Sequence, residues 1–573
     1  MARRLRTFLS PVRYRRPDGE LGALLDVEGN PVCWLDSLLG GGIVIPDDVE
    51  DGSGSPLVWL VTGPPGTGKS VFALEFCYRL ATQPQDDGDT VGTVYFSAES
   101  PATRIGKNMA DLGWKNVVEA QLNAALGQGD PPNIRVIGRD TISSAPLGPA
   151  GDFFRSLGTV HCPAGTRVVV LDSLNVLNPH WEPGEIVEGV QQGLPNGVWV
   201  VIVVQDWMRG HDPYYAFIAD IETRFEEVYR KDYLLRTFRI VKMRWQDHTQ
   251  GRHIVKIYGA PSEQRAQTRP RAPAMERVGL DREHGGVFVF PSVHRHLAAW
   301  PQRANASKSG VVPVPVPGME HIMPAGTSRS SGTRLHGFPK GRCTALIGGR
   351  GALKSHLAYY TLLSTLEDRL SLAVLLSLRD DWDAAHDTLE QICHDEQCKL
   401  SIPDLIEGHD ARLDIAYFRP GYIPPEEFMH RVVVAIDGLI ARQGGRAAGE
   451  LLVVVNGLDH LAARHPLCAE EDMFVSAVLS YLCERGVTSL VTAATEGPAQ
   501  GVSSGLLPMA DLLLHFDPLS PKQAPPECPK EAHQIVEVVA LRVPAGGTSR
   551  QRGYLYRKRM ERDRLGFALA SGG

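Results

Sequence analysis

Residues 57–80 read LVWLVTGPPGTGKSVFALEFCYRL, and the fold of the chain follows from this stretch. The apolar run that ends at Thr62 predicts a buried strand, and apolar residues after position 70 recur at helical spacing. Between them, residues 63–70 match the full pattern GxxxxGK followed by serine or threonine. A strand, a glycine loop and a helix in this order predict a phosphate-binding P-loop rather than a chance glycine turn.

The residue types in this loop each have a chemical reason. Glycines let the backbone N–H groups curl round a phosphate chain, where side chains would block the approach. The amino end of the new helix adds positive potential. Lys69 can reach the β- and γ-phosphates, and the Ser70 hydroxyl can ligate Mg²⁺. We therefore expect ATP and Mg²⁺ as cofactors. The predicted nucleotide-binding residues are Gly63, Pro64, Pro65, Gly66, Thr67, Gly68, Lys69 and Ser70.

The composition is that of an ordinary globular protein. Of 573 residues, 43% are hydrophobic and 22% charged, and this length leaves room for about two to four domains. The net charge of −7 disfavours a dedicated nucleic-acid coat. The nine cysteines are irregularly spaced, which indicates reduced thiols. No apolar run approaches the roughly 20 residues that span a bilayer. We expect a soluble cytoplasmic protein that does not associate with membranes.

Three further apolar runs end in polar residues. They cover residues 90–96, 166–171 and 198–204, and helical stretches separate them. This alternation predicts a doubly wound parallel sheet with its site at the carboxyl ends of the strands. Asp172, directly after the second of these runs, is a Walker B carboxylate that can hold the water shell of the Mg²⁺ bound by Ser70. The alternative is a carboxylate that merely caps the end of a strand.

Five stretches of the chain together resemble the KaiC family of RecA-like ATPases. They are LDSLLGGG at 35–42, GPPGTGKS at 63–70, YFSAES at 95–100, LDSL at 171–174, and Lys242-Met243-Arg244 with His248. The last stretch resembles the family's KxRGxxH motif, although Trp245 replaces the expected glycine. The resemblance concerns the architecture and the ATPase site, and we infer no circadian role from it.

The resemblance implies an α/β fold of tandem RecA-like P-loop NTPase domains, each with a mostly parallel sheet flanked by helices. It implies that Glu99 acts with Lys69 in catalysis, as base for the attacking water; the alternative is a surface carboxylate. It also implies that Lys242 and Arg244 are catalytic residues that reach the nucleotide of a neighbouring subunit. That role needs a homo-oligomeric ring, and a hexamer is the family expectation. From the residues alone, two cations on one face of a strand more often form a solvated surface.

The sequence divides into four parts. Residues 1–20 are predicted to be a basic tail, and residues 21–300 an active KaiC-like ATPase domain. Residues 301–332 are rich in Pro, Ser, Gly and Ala, which predicts an interdomain linker. The pattern of strand, glycine loop and helix then restarts. Residues 333–573 are therefore predicted to be a second, degenerate copy with a basic carboxyl end.

The second copy lacks several groups that catalysis needs. Its degenerate site is formed by Gly348, Lys354, Ser355 and Asn456. Leu353 replaces the glycine before the lysine, and a neutral amide replaces the Walker B carboxylate. Arg379 stands where Glu99 would fall. These losses predict a pseudo-ATPase domain, with weak nucleotide binding through Lys354 as the alternative.

The expected function is that of an ATP-hydrolysing ring protein. It would act as a nucleotide-dependent switch or scaffold for a protein partner that the sequence does not identify. The main alternative is a RecA- or DnaB-like DNA-dependent ATPase, because both termini are basic. The negative net charge and the lack of a recognisable DNA-binding module disfavour nucleic acid as a partner. An autokinase, which would need an intact second P-loop, and a non-hydrolysing scaffold are the remaining alternatives.

Overall fold

The computed structural model describes residues 3–15, 21–26, 29–114, 116–128, 132–141, 149–173, 181, 183–206, 218–259, 285–299, 310–327, 334–408, 411–443, 450–471, 473–494, 506–542, 550–558 and 563–570. These residues form two compact units. The first holds the described parts of 3–12, 25–259 and 285–292, and the second those of 13–24 and 293–570. None of the helices in these segments has the length and apolar content needed to cross a lipid bilayer.

Short elements precede the P-loop. They are β1 (Arg3–Leu5), β2 (Arg13–Arg15), β3 (Leu21–Ala23), α1 (Trp34–Leu38), β4 (Ile43–Ile45) and α2 (Asp47–Glu50). Strand β1 pairs antiparallel with β4 in the first unit, and β2 pairs antiparallel with β3 in the second. The glycines at 40–42 follow α1 with positive φ, a conformation that ends the helix and that glycine adopts readily.

The amino-terminal residues differ from the predicted basic tail, because residues 3–12 belong to the first unit. Leu5 and Leu9 are buried in its core. The Asp36 carboxylate accepts a hydrogen bond of 2.6 Å from the backbone N–H of Thr7. Apolar residues interspersed among the arginines supply the buried side of this segment, and the density of basic residues conceals that pattern in the sequence.

A nine-stranded sheet forms the centre of the first unit. Its strands are β5 (Leu57–Gly63), β6 (Gly92–Ser97), β7 (Ile134–Ile137), β8 (Thr166–Asp172), β9 (Val200–Asp206), β10 (Ile221–Arg230), β11 (Tyr233–Met243), β12 (His253–Tyr258) and β13 (Gly286–Phe290). Their order is β13-β12-β11-β10-β5-β9-β8-β6-β7. The strands from β10 to β7 run parallel, and those from β10 to β13 run antiparallel.

Helices flank this sheet. They are α3 (Lys69–Thr82), α4 (Ala102–Asp111), α5 (Val117–Ala125), α6 (Ala150–Ser156) and α7 (Pro183–Gly193). On β8, Val168 and Val170 join one apolar cluster, whereas Val169 and Leu171 join another. Alternate residues of the strand therefore face two different cores. Burial on both faces explains why the parallel strands read as continuous apolar runs.

The P-loop helix packs directly on the P-loop strand. The ring centroids of Phe72 and Phe76 on α3 lie 5.8 and 5.3 Å from that of Trp59 on β5, both in edge-on arrangements. All three side chains are fully buried. Because β5 lies between β9 and β10 in the interior of the sheet, this packing holds the loop between β5 and α3 on a rigid base.

The second unit repeats the architecture. Its strands are β14 (Val311–Pro313), β15 (Ala325–Thr327), β16 (Arg334–Pro339), β17 (Cys343–Gly348), β18 (Leu372–Ser377), β19 (Leu413–Tyr417), β20 (Leu451–Asn456), β21 (Thr488–Ala494), β22 (Leu512–Leu519), β23 (Ala532–Arg542), β24 (Arg550–Lys558) and β25 (Leu565–Leu569). Its helices are α8 (Val293–Ala299), α9 (Lys354–Leu366), α10 (Trp382–Asp395), α11 (Ile402–Glu407), α12 (Pro425–Arg442), α13 (Leu461–Arg464), α14 (Pro466–Ala469) and α15 (Phe474–Glu484).

The main sheet of the second unit has the order β25-β24-β23-β22-β17-β21-β20-β18-β19. Position by position, this is the strand order of the first unit, with β17 in the place of β5. Both units are therefore RecA-like α/β domains, as predicted. The predicted linker at 301–332 differs from the structure, because residues 310–327 are folded into the second unit. There β14 and β15 both pair with β16, and Val312 and Val316 are buried.

Candidate functional site

The P-loop of the first unit has three glycines with positive φ, Gly63, Gly66 and Gly68, and the first and last show why glycine is needed. Gly63 has φ 151°, and a Cβ atom there would lie 2.4 Å from the carbonyl oxygen of Phe225 on β10. Gly68, the residue before α3, has φ 103° and is left-handed. Larger residues are strained in that conformation. The loop backbone is therefore shaped by its glycines, as the motif requires for a phosphate cradle.

Lys69 lies inside the curl of this loop. Its Nζ donates to the carbonyl oxygens of Gly63, at 2.8 Å, and Pro64, at 2.7 Å. The side chain is 5% exposed although it carries a charge. The Thr67 hydroxyl donates to the Pro64 carbonyl at 2.8 Å and braces the same turn. A buried ammonium inside a glycine loop of this shape favours an anionic ligand such as phosphate.

Ser70 and Asp172 are brought together by the fold. The Ser70 hydroxyl donates to the Asp172 carboxylate at 3.0 Å, and the Tyr95 hydroxyl donates to its other oxygen. Burial raises the pKa of Asp172 to about 6. Burial and the adjacent carboxylate also raise the pKa of Tyr95 well above its usual value, so this hydroxyl keeps its proton. A hydroxyl beside a carboxylate is the hard oxygen donor set that suits Mg²⁺.

Glu99 lies next to this pair of oxygen donors. Strands β6 and β8 run in register with Ser97 opposite Asp172, and the Ala98 N–H donates to the Asp172 carbonyl at 3.1 Å. Glu99 follows directly and is exposed. Its negative charge adds to the rise in the pKa of Asp172. The carboxyl ends of the strands thus gather Ser70, Asp172 and Glu99 at one edge of the sheet.

Arg244 lies near the level of the amino end of the P-loop strand β5, and Lys242 lies level with its middle. On β11, Lys242 is opposite Glu222 of β10, and Glu222 is opposite Leu60 of β5. The Lys242 ammonium donates to the Ala219 carbonyl, and Arg244 contacts the Asp220 carboxylate at 3.5 Å. Burial, reinforced by the charge of Arg244, lowers the pKa of Lys242.

The register also measures how far this pair is from the P-loop. The Asp220 N–H donates to the Val58 carbonyl at 2.9 Å, and the Arg244 N–H donates to the Asp220 carbonyl at 2.8 Å. From Val58 to Gly63 the strand advances five residues, or about 16 Å at 3.3 Å per residue. An arginine side chain cannot cover that distance. Lys242 is level with Leu60, about 10 Å along the sheet from Gly63, and β10 lies between its strand and β5. Neither side chain therefore reaches the P-loop of its own subunit.

Arg236 is a site residue that the sequence did not single out. It lies on β11 beyond the level of Gly63, and its Nε donates to the Gly66 carbonyl at 3.2 Å. The Arg236 guanidinium therefore contacts the middle of the P-loop, at Gly66, within the same subunit. Its alternation with Phe238 marks only a strand, so no local signal in the sequence identifies this contact. Tyr95, which holds Asp172, was likewise missed as part of an apolar run.

Comparison with known families agrees with this geometry. Residues 35–127 match the family model described as the KaiC ATPase. This part of the chain is KaiC-like. No curated protein matches the chain significantly. The KaiC match includes the P-loop and Glu99, and it ends before Asp172, Arg236 and the Lys242–Arg244 pair. The KaiC-like assignment therefore supports ATPase-type chemistry in general, and the roles of these later residues depend on the geometry described above.

The second unit holds its own residues in a matching arrangement. Lys354 Nζ donates to the carbonyl oxygens of Gly348, at 3.1 Å, and Gly349, at 2.6 Å, as Lys69 does in the KaiC-like unit. The Ser355 hydroxyl donates to Asn456 Oδ1 at 2.7 Å, in the place of the Ser70–Asp172 contact. Strand β18 leads to Arg379 as β6 leads to Glu99. The structure thus brings the predicted degenerate residues together at one site.

Proposed function

We propose that the first unit binds ATP with Mg²⁺ and hydrolyses it, and that the second unit does not hydrolyse ATP. The observation that carries this proposal is the hydrogen bond of 3.0 Å between Ser70 and Asp172, one residue away from the buried ammonium of Lys69. It joins the two oxygen ligands that a phosphate-bound metal needs. In the second unit the corresponding bond ends on a neutral amide.

In this proposal each residue has a separate role. The N–H groups of the non-proline residues in 63–70 bind the phosphate chain, and Lys69 binds the terminal phosphates. Ser70 and Asp172 hold the Mg²⁺, which when bound would offset charge on the phosphates. Glu99 is exposed and adjacent, so it can accept a proton from water at the outer edge of the site.

The distance across the sheet supports completion of the site by a second subunit. Measured along the strands, Arg244 lies about 16 Å and Lys242 about 10 Å from the level of Gly63 in their own subunit, and both are two strands away from β5. We propose that they reach the terminal phosphate of a neighbouring subunit, where an added cation stabilises the charge of the transferring phosphoryl group. Because donor and acceptor surfaces differ, repetition of the contact generates a ring or an open spiral. A hexameric ring is the family expectation, and it would act as a switch or scaffold for a protein partner in the cytoplasm.

The test is an ATPase assay on the full-length protein, combined with native mass measurement in the presence and absence of ATP and Mg²⁺. We expect Mg²⁺-dependent turnover and ATP-dependent assembly. Lys69→Ala should lose ATP binding and turnover together, because this lysine holds phosphate before and during the reaction. Lys522→Ala, which removes an exposed charge from the second unit, is the matched control. Turnover at the parent rate in Lys69→Ala would contradict the proposal.

A further inference from the structure

The second P-loop keeps its shape although it has lost a glycine. Leu353, in the place of Gly68, has φ 60° and ψ 6°, a left-handed conformation that is strained for a residue with a branched side chain. The side chain is 8% exposed and packs in the core. Gly348 keeps φ 145° and lies against the Phe516 carbonyl, as Gly63 lies against that of Phe225. The loop therefore retains a phosphate-cradle conformation at an energetic cost.

The residues in the metal position do not fit Mg²⁺. Asn456 Oδ1 accepts hydrogen bonds from Ser355, at 2.7 Å, and from Thr492, at 3.0 Å. Its Nδ2 donates to the Tyr359 hydroxyl, at 2.8 Å, and to Asp380, at 3.0 Å. The amide is fully buried and carries no charge. The amide oxygen of Asn456 therefore already accepts two hydrogen bonds. The neutral amide also cannot offset the charge of a divalent cation as the Asp172 carboxylate can.

The nearest carboxylate is also engaged. Asp380 accepts two hydrogen bonds from the Arg379 guanidinium, at 2.8 and 2.9 Å, as well as the one from Asn456. Arg379 occupies the position that corresponds to Glu99. The Arg379–Asp380 pair therefore leaves this end of the second sheet without the net negative charge that Asp172 and Glu99 give the first. In the first unit, Asp172 is placed to hold a metal and Glu99 to accept a proton from water. In the second unit, the Arg379 guanidinium stands in the position of Glu99.

A cavity of about 280 Å³ opens at this place. Its lining includes three cationic residues, Arg350, Lys354 and Arg379, together with Ser355 and Thr492. Asp459 is the one carboxylate on this lining among the residues that the structure describes, and it accepts a hydrogen bond of 2.9 Å from the Ala494 N–H. The volume lies just below the usual range for small-molecule sites, which suits a phosphate chain better than a whole nucleotide.

We propose that the second unit binds the phosphate chain of a di- or triphosphate without a divalent cation, and that Arg350 and Arg379 supply the positive charge that Mg²⁺ supplies elsewhere. Guanidinium groups bind phosphate oxygens in pairs of hydrogen bonds, so two of them can replace an ion as the counter-charge. The site would hold its ligand without hydrolysing it, because no carboxylate stands where Glu99 does. This proposal does not depend on hydrolysis in the first unit.

Titration calorimetry on full-length Lys69→Ala protein separates the two sites, since the first is disabled there. Tripolyphosphate and ATP are each titrated, once with Mg²⁺ and once with EDTA. We expect binding in EDTA at least as tight as in Mg²⁺, and we expect tripolyphosphate to bind within about tenfold of ATP if the phosphate chain provides the contacts. If ATP binds but tripolyphosphate does not, the second unit does not recognise its ligand through the phosphate chain, and the proposal is wrong. Binding that appears only with Mg²⁺ would overturn the metal-free site.

Variants on the same Lys69→Ala background locate the site. Lys354→Ala and Arg379→Gln should each weaken binding in EDTA by about tenfold or more, the scale of one charged hydrogen bond. Lys522→Ala should leave it unchanged. Arg379 is partly exposed, so its variant is informative even if Lys354→Ala folds poorly. Asn456→Asp should make binding tighter with Mg²⁺ than with EDTA. Unchanged affinity in Lys354→Ala and Arg379→Gln, or no gain from Mg²⁺ in Asn456→Asp, would overturn the proposal.

Discussion

Glu99 is the residue whose exposure makes its role easiest to test. It lies outside the core beside Asp172, so Glu99→Gln should leave the fold and ATP binding intact. Turnover should fall by about 10² to 10⁴, the usual loss when a general base is removed. ATP binding and single-turnover hydrolysis should be measured on the same preparation. Glu119→Gln makes the same charge change at an exposed position of α5 and should hydrolyse normally. If Glu99→Gln matches the parent rate, another group is the base.

Trp245 stands where the family motif has glycine, and its backbone adopts a left-handed conformation that is strained for any other residue. It has φ 69° and is 73% exposed. Its neighbour Gln246 fixes the turn, because the Gln246 side chain donates to the Gly42 carbonyl at 2.8 Å and accepts from the Val44 N–H at 2.6 Å. Trp245→Gly should therefore raise the free energy of unfolding, by up to about 1 kcal/mol.

Trp245→Ala is the matched control for this strain. It removes the same exposed ring but keeps a Cβ atom in the left-handed conformation, so no gain is expected. Denaturant titrations of both variants distinguish strain from packing. An equal loss of stability in both would mean that the ring packs on the fold and that its backbone strain is unimportant.

His465 makes the stability of the second unit depend on pH. It is fully buried near the Phe418 and Phe428 rings, with centroid distances of 6.3 and 6.0 Å. Burial, together with the charges of Arg464 and Arg431, lowers its pKa to about 4. In the unfolded chain the pKa is about 6.5, so the unfolded chain binds more protons between these values. The stabilisation from keeping His465 neutral is fully present above about pH 6.5. As the pH drops toward 4, the free energy of unfolding falls by up to about 3 kcal/mol.

The measurement is denaturant unfolding between pH 5 and 7, above the range in which most carboxylates titrate. His465→Phe should flatten the dependence on pH, because a phenyl ring fits an aromatic site and does not titrate. His394→Phe changes a mostly exposed histidine and should leave the dependence unchanged. The slope that remains comes from His430, which is buried with its pKa lowered to about 3, and from Asp172 in the first unit, whose pKa burial raises to about 6. An identical slope in His465→Phe and the parent would contradict this account.

At the scale of elements, Glu75 joins the P-loop helix to the edge of the sheet. It forms a buried ion pair with Arg79 on α3, with an N–O distance of 3.2 Å, and accepts a hydrogen bond of 2.6 Å from the Val287 N–H on β13. Glu75→Ala should destabilise the first unit by about 3–5 kcal/mol, because it leaves a buried guanidinium and a strand N–H without this partner.

The control for Glu75 is an exposed ion pair on another helix. Asp152→Ala removes the partner of Arg155 on α6, where both side chains are mostly exposed, and should cost about 0–1 kcal/mol. Thermal and denaturant unfolding of both variants give the comparison. A similar small effect in both would mean that β13 is held by other contacts.

Four parallel strands of the first sheet, β5, β6, β8 and β9, could be predicted because their apolar runs end at polar residues. The run predicted at 166–171 is Thr166–Asp172 in the structure. The Arg236 contact with Gly66 could not be predicted, since it joins residues 170 positions apart and needs β10 to pair with both β5 and β11. The folded state of residues 310–327 was also hidden, because Pro and Gly in short strands produce the same composition as a linker.

At the scale of the whole molecule, mixing two inactive variants tests the shared site. Arg244→Ala should slow hydrolysis by about 10³ or more with little effect on ATP binding, as for a supplied arginine. A mixture of Arg244→Ala and Glu99→Gln protein should recover activity. In a random equal mixture, about a quarter of the interfaces pair an intact Glu99 with an intact Arg244.

The control mixture combines Glu99→Gln with Lys69→Ala. Both changes disable the P-loop side of the interface, so no interface in that mixture is complete and no activity should return. Native mass spectra of both mixtures, recorded with ATP, test whether mixed assemblies form before their activities are compared. Mixed assemblies that recover no activity, or full activity in a monomeric parent, would exclude the shared site.

The separation of the P-loop from Lys242 and Arg244 across one sheet gives each subunit a direction. In an open row of subunits, one end would carry a P-loop without its cations, and the other would carry cations without a P-loop. A row of two would then have one working site for two bound nucleotides, and closing the circle would add one site without adding a subunit. Turnover per subunit would therefore rise with the number of subunits in the row and increase abruptly when the ring closes. A drop in turnover per subunit on dilution would then show when the ring opens.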